Sequence, residues 1–230
     1  MSSSNDNMSE LSPQQLQALA DRLLQQRKSV AATKVASIPE QTPAPLTYAQ
    51  EALWLVEQLG TGATAYNETV TLRLEGRLDV AALERSLGAV VERHSALRAR
   101  FIVSDDGTPR QVIEPAQPVA LEQLDRPGID TQALHDELRQ LADRPFDLTQ
   151  PPLFRATLVR IAPDDHVLLW NVHHLVWDEW SVKLFLVDFG AHYAAFVQGQ
   201  PDAGLPPVAL QYVDFAAWQH ELAGSERYAR

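Results

Sequence analysis

The sequence predicts a mixed α/β or α+β fold, a mixed sheet with packed helices, because strand and helix patterns alternate along the chain. Residues 69–75 (TVTLRLE) alternate apolar and polar side chains, which is typical of a half-buried strand. A helix pattern follows, with Asp79 as its N-cap and leucines and valines at three- and four-residue spacing. The run VLLWNV, within residues 166–172, is almost continuously apolar and predicts a strand buried on both faces.

Residues 1–44 predict a short helical tail and a linker before the domain at residues 45–230. Ser12 is a suitable N-cap, Pro13 fits the first helical position, and leucines from Leu16 to Leu24 form one apolar stripe. The segment KSVAATKVASIPEQTPAP, residues 28–45, has the small, polar and proline-dotted composition of a linker. Two interpretations stay open: a helix resting on its own domain, or a docking element for another polypeptide.

The same patterns predict the later elements in order. They are strands at 99–103 and 110–113 joined by the turn SDDGT, a helix at 131–144, strands at 153–161 and 166–172, and helices at 180–198 and 212–222. Proline at 145 ends the first of these helices. The turn between the two later strands falls at residues 163–165, where Pro-Asp-Asp suits a type I turn.

Composition excludes several classes of protein. The 230 residues are 45% apolar and 21% charged, which is ordinary for a globular domain. The net charge of −11 argues against nucleic acid or an anionic membrane as the main partner, because both attract a basic face. Without cysteine the chain has no disulfide, thiolate metal site or Cys nucleophile, which fits the cytoplasm. Neither a membrane-spanning run nor a signal peptide is expected.

The candidate site is the segment that follows the buried strand, HHLVWDEWS, residues 173–181. Adjacent His173 and His174 point in different directions at a strand end, so one can face a cleft while the other packs into its wall. A histidine in such a place can take a proton from an attacking amine or hydroxyl, or hold the nucleophile in line. A purely structural histidine pair is the alternative. A metal pair of His174 and Asp178 lacks an obvious third ligand, and no Gly-x-Ser-x-Gly motif supports a serine hydrolase.

The segment HHLVWDEWS resembles the HHxxxDG core motif of condensation domains in nonribosomal peptide synthetases. Four further blocks occur in that family's order. They are TYAQEALW at 47–54, RHSALRARF at 93–101, RPFDL with PLFRA between 144 and 156, and YVDFAAWQ at 212–219. Five ordered blocks between residues 47 and 219 make the resemblance strong.

The resemblance implies a chloramphenicol acetyltransferase-like fold, with residues 45–230 as its N-terminal lobe. A condensation domain is roughly twice this length, so we expect the C-terminal lobe to be missing and the chain alone to be inactive. The expected reaction joins an aminoacyl thioester's amine to an upstream acyl thioester. Upstream and downstream acyl or peptidyl carrier proteins hold both substrates on phosphopantetheine. No metal or directly bound cofactor is implied.

Residue roles follow from the same resemblance. His174 would align with the acceptor nucleophile, whereas His173 and Asp178 would be structural. Asp178 would pair with Arg98 of the RHSALR block or, alternatively, with Arg93.

Two positions depart from the family's pattern. Glu179, two residues before Ser181 in the motif, stands where Gly is usual, and Gly permits backbone angles or a close substrate approach that Glu resists. Ala52 replaces the usual Arg of the first block. Both histidines are kept, unlike in heterocyclisation domains, and no Ser-Trp-Arg run follows the motif, unlike in epimerisation domains. A non-catalytic recognition or docking module therefore remains the main alternative, and a free-standing coenzyme A-dependent acyltransferase is a third.

Overall fold

The computed structural model describes residues 35–60 and 64–225 of the chain. The helix predicted in residues 12–28 lies outside them, and the docking role of residues 1–44 stays a prediction. In chain order the described elements are β1 (Ala44–Pro45), α1 (Tyr48–Gln58), β2 (Asn67–Glu75), α2 (Val80–Arg93), β3 (Ala99–Val103), β4 (Pro109–Ile113), β5 (Leu121–Asp125), α3 (Thr131–Ala142), β6 (Phe154–Ala162), β7 (Asp165–His173), α4 (Glu179–Val197) and α5 (Tyr212–Ala223). Short 3₁₀ turns cover Ser95–Arg98 and His174–Val176.

The strands form two sheets in the described chain. The smaller sheet has the order β1-β4-β3 and is antiparallel. The larger sheet has the order β2-β7-β6-β5, in which the β5–β6 pair is parallel and the other pairs are antiparallel. Helices are interleaved with these strands along the chain, which confirms the predicted mixed α/β class.

Caps and turns explain where several elements begin. The Asp79 carboxylate accepts from the backbone N–H of Ala82 at 2.9 Å and starts α2 as predicted. In the hairpin, β3 has the predicted bounds and β4 begins one residue earlier than predicted, at Pro109. Its turn is closed by Ser104 and Asp106, whose side chains bond the backbone of Thr108.

The segment before β1 packs against the body of the domain, although its composition predicts a linker. The compact unit begins at Ser37, upstream of the boundary expected after residue 44. Ile38 donates its backbone N–H to the buried carboxylate of Asp214 at 2.7 Å, and β1 pairs with β4. Proline is tolerated in β1 because this two-residue strand lies at the edge of its sheet.

The core lies between the larger sheet and the helices. Every residue of β7 from His166 to His173 is buried, as its apolar sequence predicts, because β2 and β6 flank it and α4 covers it. Phe185 of α4 lies with its ring centroid 4.7 Å from that of Trp170 of β7, and it stacks on Phe189 of its own helix. This packing fixes the end of β7, where the histidine pair stands, against the start of α4. None of the helices in the described ranges is long and apolar enough to cross a membrane.

Candidate functional site

A cleft of about 850 Å³ opens where β7 ends and α4 begins. Its walls come from α1, from the turn after β7, from the first turns of α4 and from residues 208–215. Most of the lining is apolar, and His174 and Asp178 are among the polar side chains that reach it. Pockets of this size and composition are typical of small-molecule sites.

His174 is the member of the pair that faces the cleft. Its side chain is 43% exposed, and its backbone N–H donates to the carbonyl oxygen of Tyr66 at 2.9 Å. The Nδ1 atom of its ring contacts a carboxylate oxygen of Glu68 on β2. The Nε2 atom makes no hydrogen bond within the described residues, so it is free to meet a substrate.

His173 is turned the other way and is only 2% exposed. Its Nδ1 accepts the backbone N–H of Leu175 at 3.2 Å, which fixes the neutral ring with its proton on Nε2. Burial, aided by the charge of His174, lowers the pKa of His173 to about 4. Phe146 meets the ring edge-on, and Nε2 lies 3.5 Å from a carboxylate oxygen of Glu57. Burial raises the pKa of that Glu57 carboxyl. This histidine therefore belongs to the wall of the cleft.

Asp178 is the N-cap of α4. Its Oδ1 accepts from the backbone N–H of Ser181 at 2.8 Å and from the Ser181 hydroxyl at 2.6 Å. The Ser181 hydroxyl in turn accepts from the backbone N–H of Asp178 at 3.3 Å, which completes a capping box. The carboxylate thus needs no cation, since the N–H groups and the dipole of a helix start stabilise it.

The expected ion pair of Asp178 with Arg98 or Arg93 is not formed in the described part of the chain. The guanidinium of Arg98 is buried, and it donates to the carboxylate of Glu40 at 2.7 Å and to the backbone carbonyl of Glu114. The Nε atom of Arg93 donates to the carboxylate of Asp188 at 2.8 Å, which His94 also contacts. That prediction was wrong, because each arginine is bonded to other acceptors and Asp178 is bonded at the start of its own helix.

Glu179 adopts an ordinary helical backbone at the first position of α4. Among the described non-glycine residues, a positive φ occurs at Gln41 and not at Glu179. Glutamate in place of the usual Gly therefore causes no backbone strain at this position. An acidic side chain also suits the first turn of a helix. Glu179 is exposed and does not line the cleft, whereas Ala52, the other departure, stands on its wall.

Gln50 has no predicted role beyond its place in the block TYAQEALW, yet it joins three segments of the domain. Its side-chain amide donates to the carbonyl of Leu175, in the turn after His174, at 2.9 Å. Its carbonyl oxygen accepts from the backbone N–H of Thr47 at 2.9 Å and from the side chain of Gln111 at 3.3 Å. The Thr-x-x-Gln spacing at residues 47–50, which is a capping-box pattern, was the signal available in the sequence. Glu68, by contrast, is brought to His174 by strand pairing that the sequence does not reveal.

No group of three or more His, Asp or Glu side chains within residues 35–60 and 64–225 has the arrangement of a metal site.

The fold and the site together define a mixed α/β domain that holds a histidine-bearing strand end against an apolar cleft. The family model of the condensation domain matches residues 40–230. The chain belongs to the condensation domain family of nonribosomal peptide synthetases.

Curated relatives agree with this membership. One of the proteins that make up the linear gramicidin synthase of Brevibacillus parabrevis is 43% identical over 200 residues, which cover 85% of this chain and 3% of that protein. Phosphinothricin tripeptide synthetase PhsC of Streptomyces viridochromogenes is 37% identical over 225 residues, which cover 94% of this chain and 20% of that protein. The chain therefore spans a small part of each of these relatives.

Two solved structures have the same fold. The X-domain from teicoplanin biosynthesis, solved in complex with OxyB, is 33% identical with a TM-score of 0.75 over 85% of this chain and 42% of that one. The first condensation domain of the CDA synthetase is 26% identical with a TM-score of 0.71 over 84% of this chain and 48% of that one. The described fold thus corresponds to somewhat less than half of each solved chain.

Proposed function

We propose that this chain is the N-terminal lobe of a domain that forms an amide bond between two carrier-bound thioesters, with His174 at the reacting atoms. The observation that carries the proposal is the orientation of the histidine pair. His174 faces the cleft with its Nε2 free of other hydrogen bonds in the described chain, whereas His173 is buried and hydrogen-bonded. The cytoplasmic location expected from the sequence stays a prediction.

The proposed reaction needs little from the protein beyond position. The amine nitrogen of the acceptor attacks the thioester carbonyl carbon of the donor, forming the C–N bond, and the C–S bond breaks to release the donor's phosphopantetheine thiolate. The amine proton is transferred to that thiolate, by way of Nε2 of His174. An α-amine has a reference pKa of about 8, so a minority is already neutral at pH 7 and the attack needs no strong base. Holding the two reactants in line then supplies much of the acceleration.

The remaining parts of the site would come from other polypeptide segments. We propose that a C-terminal lobe of the same domain forms the opposite wall of the cleft, since the described fold matches less than half of the solved relatives. Upstream and downstream carrier proteins would deliver the donor and the acceptor on phosphopantetheine. No metal and no directly bound cofactor enter the proposed step, because the thioester supplies the driving force.

The test is His174→Ala in the polypeptide that joins this lobe to its C-terminal lobe. Single-turnover amide formation between loaded carrier proteins, followed by mass spectrometry, should slow by about 100-fold or more, which is the range for removing a positioned acid–base group. The matched control is His135→Ala, because His135 is exposed on α3 away from the cleft. An unchanged rate in His174→Ala would overturn the catalytic role.

A recruitment module is the second candidate function, and one comparison favours it. The X-domain that this chain resembles was solved in complex with another protein, OxyB. The exposed Glu179, which replaces the usual Gly, also alters the motif itself. In the experiment above this candidate predicts no amide from either the unmodified or the His174→Ala polypeptide.

A further inference from the structure

We infer that Glu68 is the positioning residue that sets the orientation and the tautomer of His174. The inference rests on the proposed function, in which His174 stands at the reacting atoms. Glu68 lies in none of the five sequence blocks that resemble the family's motifs.

The contact is made by two neighbouring strands. In the β2–β7 pair, Asn67 lies opposite His173 and Glu68 lies opposite Val172, so the start of β2 runs beside the end of β7. Tyr66, just before β2, accepts the backbone N–H of His174 at 2.9 Å, and the Glu68 carboxylate contacts Nδ1 of its ring. Backbone and ring of His174 are therefore both held by residues 66–68.

Other carboxylates near the motif have different partners. Asp178 is bonded to Ser181 as the cap of α4, and Glu57 lies against His173. Glu68 is the acidic side chain that contacts His174 within the described residues. With 34% of its side chain exposed, it is half-buried beside the cleft, where the charge of a carboxylate is screened less than on the open surface.

The chemistry of imidazole gives this contact a function. A carboxylate can only accept, so Nδ1 of neutral His174 must carry the proton and donate it to Glu68. The lone pair is then on Nε2, the nitrogen that makes no other hydrogen bond in the described chain. When Nε2 takes the amine proton, the negative charge of Glu68 stabilises the resulting imidazolium until the proton passes to the leaving thiolate. A carboxylate performs the same service for the histidine of serine proteases.

The test compares Glu68→Gln, Glu68→Ala and the control Glu75→Gln in the polypeptide that joins both lobes. Glu75 is on the same strand, at its other end, with a side chain 76% exposed. We expect kcat for amide formation to fall by about 10- to 100-fold in Glu68→Ala with KM for the acceptor carrier within about twofold, as when a residue that orients a ligating or reacting histidine is removed. Glu68→Gln should keep part of the activity, since an amide oxygen still accepts from Nδ1, and the control should match the unmodified protein.

A second readout does not depend on turnover. In the 230-residue chain labelled with ¹⁵N-histidine, the His174 signals, assigned by their loss in His174→Asn, should report a proton on Nδ1. In Glu68→Ala the proton should move to Nε2 for a large part of the population. An unchanged tautomer, or a changed tautomer with unchanged kcat, overturns the inference. If the unmodified polypeptide forms no amide, the proposed function fails, while the tautomer still decides whether Glu68 orients the ring.

Discussion

The two adjacent histidines differ most in their access to water. His173 is enclosed by Tyr66, Phe146 and the strand pair, and its Nδ1 already accepts a backbone N–H. A second proton on that ring would break the hydrogen bond and bury a charge. His174, one residue further on, keeps nearly half of its side chain in the cleft. One strand end therefore supplies a buried histidine for the wall of the cleft and, beside it, an exposed histidine that faces the cleft.

This burial predicts a pH-dependent stability. The pKa of His173 is about 4 in the folded chain against 6.5 for an ordinary histidine, so the unfolded chain binds a proton more readily between these values. Above pH 6.5, where His173 is neutral in both states, the stability is at its full value. As the pH falls from 6.5 towards 4, protonation of His173 in the unfolded chain lowers the free energy of unfolding by about 3 kcal/mol. Urea unfolding of the chain at several pH values measures it.

Three further substitutions separate the pH dependence caused by His173 from that caused by other titratable groups. His173→Asn keeps an acceptor for the Leu175 N–H without a titrating ring, so the loss between pH 6.5 and 4 should largely vanish. His135→Asn, at an exposed position, should keep it. The raised pKa of Glu57 acts in the opposite sense, because a carboxyl that protonates more easily in the folded state adds stability as the pH falls. The His173→Asn variant is therefore compared with its parent in chains that both carry Glu57→Gln. If the free energy of unfolding falls equally with pH in both, His173 is not the cause of the pH dependence.

At the scale of elements, Gln50 connects α1 to the turn that carries His174. Its replacement by Ala leaves the buried carbonyl of Leu175 without its donor and removes one acceptor of the Gln111 amide, which still donates to the carbonyl of Pro45. We expect Gln50→Ala to lower the free energy of unfolding by about 2 kcal/mol. Gln50→Glu should lose stability too, since a carboxylate cannot donate to Leu175. Gln58→Ala, exposed at the end of the same helix, should change it by less than about 0.5 kcal/mol. Similar midpoints for both Ala variants in urea unfolding would show that the bond is dispensable.

The elements also show what the sequence could predict. Caps and periodicity were sufficient for β2, α2, the hairpin β3–β4 and the buried β7, because local chemistry determines them. The edge strand β5 was missed: its LEQLD pattern is short and acidic, and it exists because β6 offers it a parallel partner. The Asp-x-x-Ser spacing at residues 178–181 was a readable capping signal, and it would have corrected the expected pairing with Arg98. The contact between Glu68 and His174 depends on strand register and had no local signal.

At the scale of the whole molecule, one face of the cleft is apolar and open. Trp180 is 67% exposed, and Leu184, Leu210 and Phe215 are also exposed large hydrophobic residues that line the cleft. Contiguous exposed apolar surface of this kind marks an interaction site. Under the proposed function, the C-terminal lobe covers this face and closes the reaction space.

The 230-residue chain alone should therefore form amide at least about 100-fold more slowly than the polypeptide with both lobes, because an open site loses the alignment of the two thioesters. The rate is measured per mole of protein with the same loaded carrier proteins. The His174→Ala form of the two-lobe polypeptide provides the background rate. Equal turnover by the single lobe and by the joined lobes would contradict the need for a second wall.

The contacts of α5 have a consequence for how the chain is made. This last described helix bonds the beginning of the domain: Asp214 accepts the N–H of Ile38, Gln219 accepts that of Tyr48, and His220 bonds the carbonyl of Leu46. Each of these bonds joins residues more than 170 positions apart. On a translating ribosome, residues 38–48 cannot form these bonds until almost the entire lobe has emerged, since contacts across such long loops form late. Until then the start of α1 lacks these bonds and is accessible to chaperones. Slow synthesis of this lobe therefore prolongs the time in which the incomplete chain can misfold.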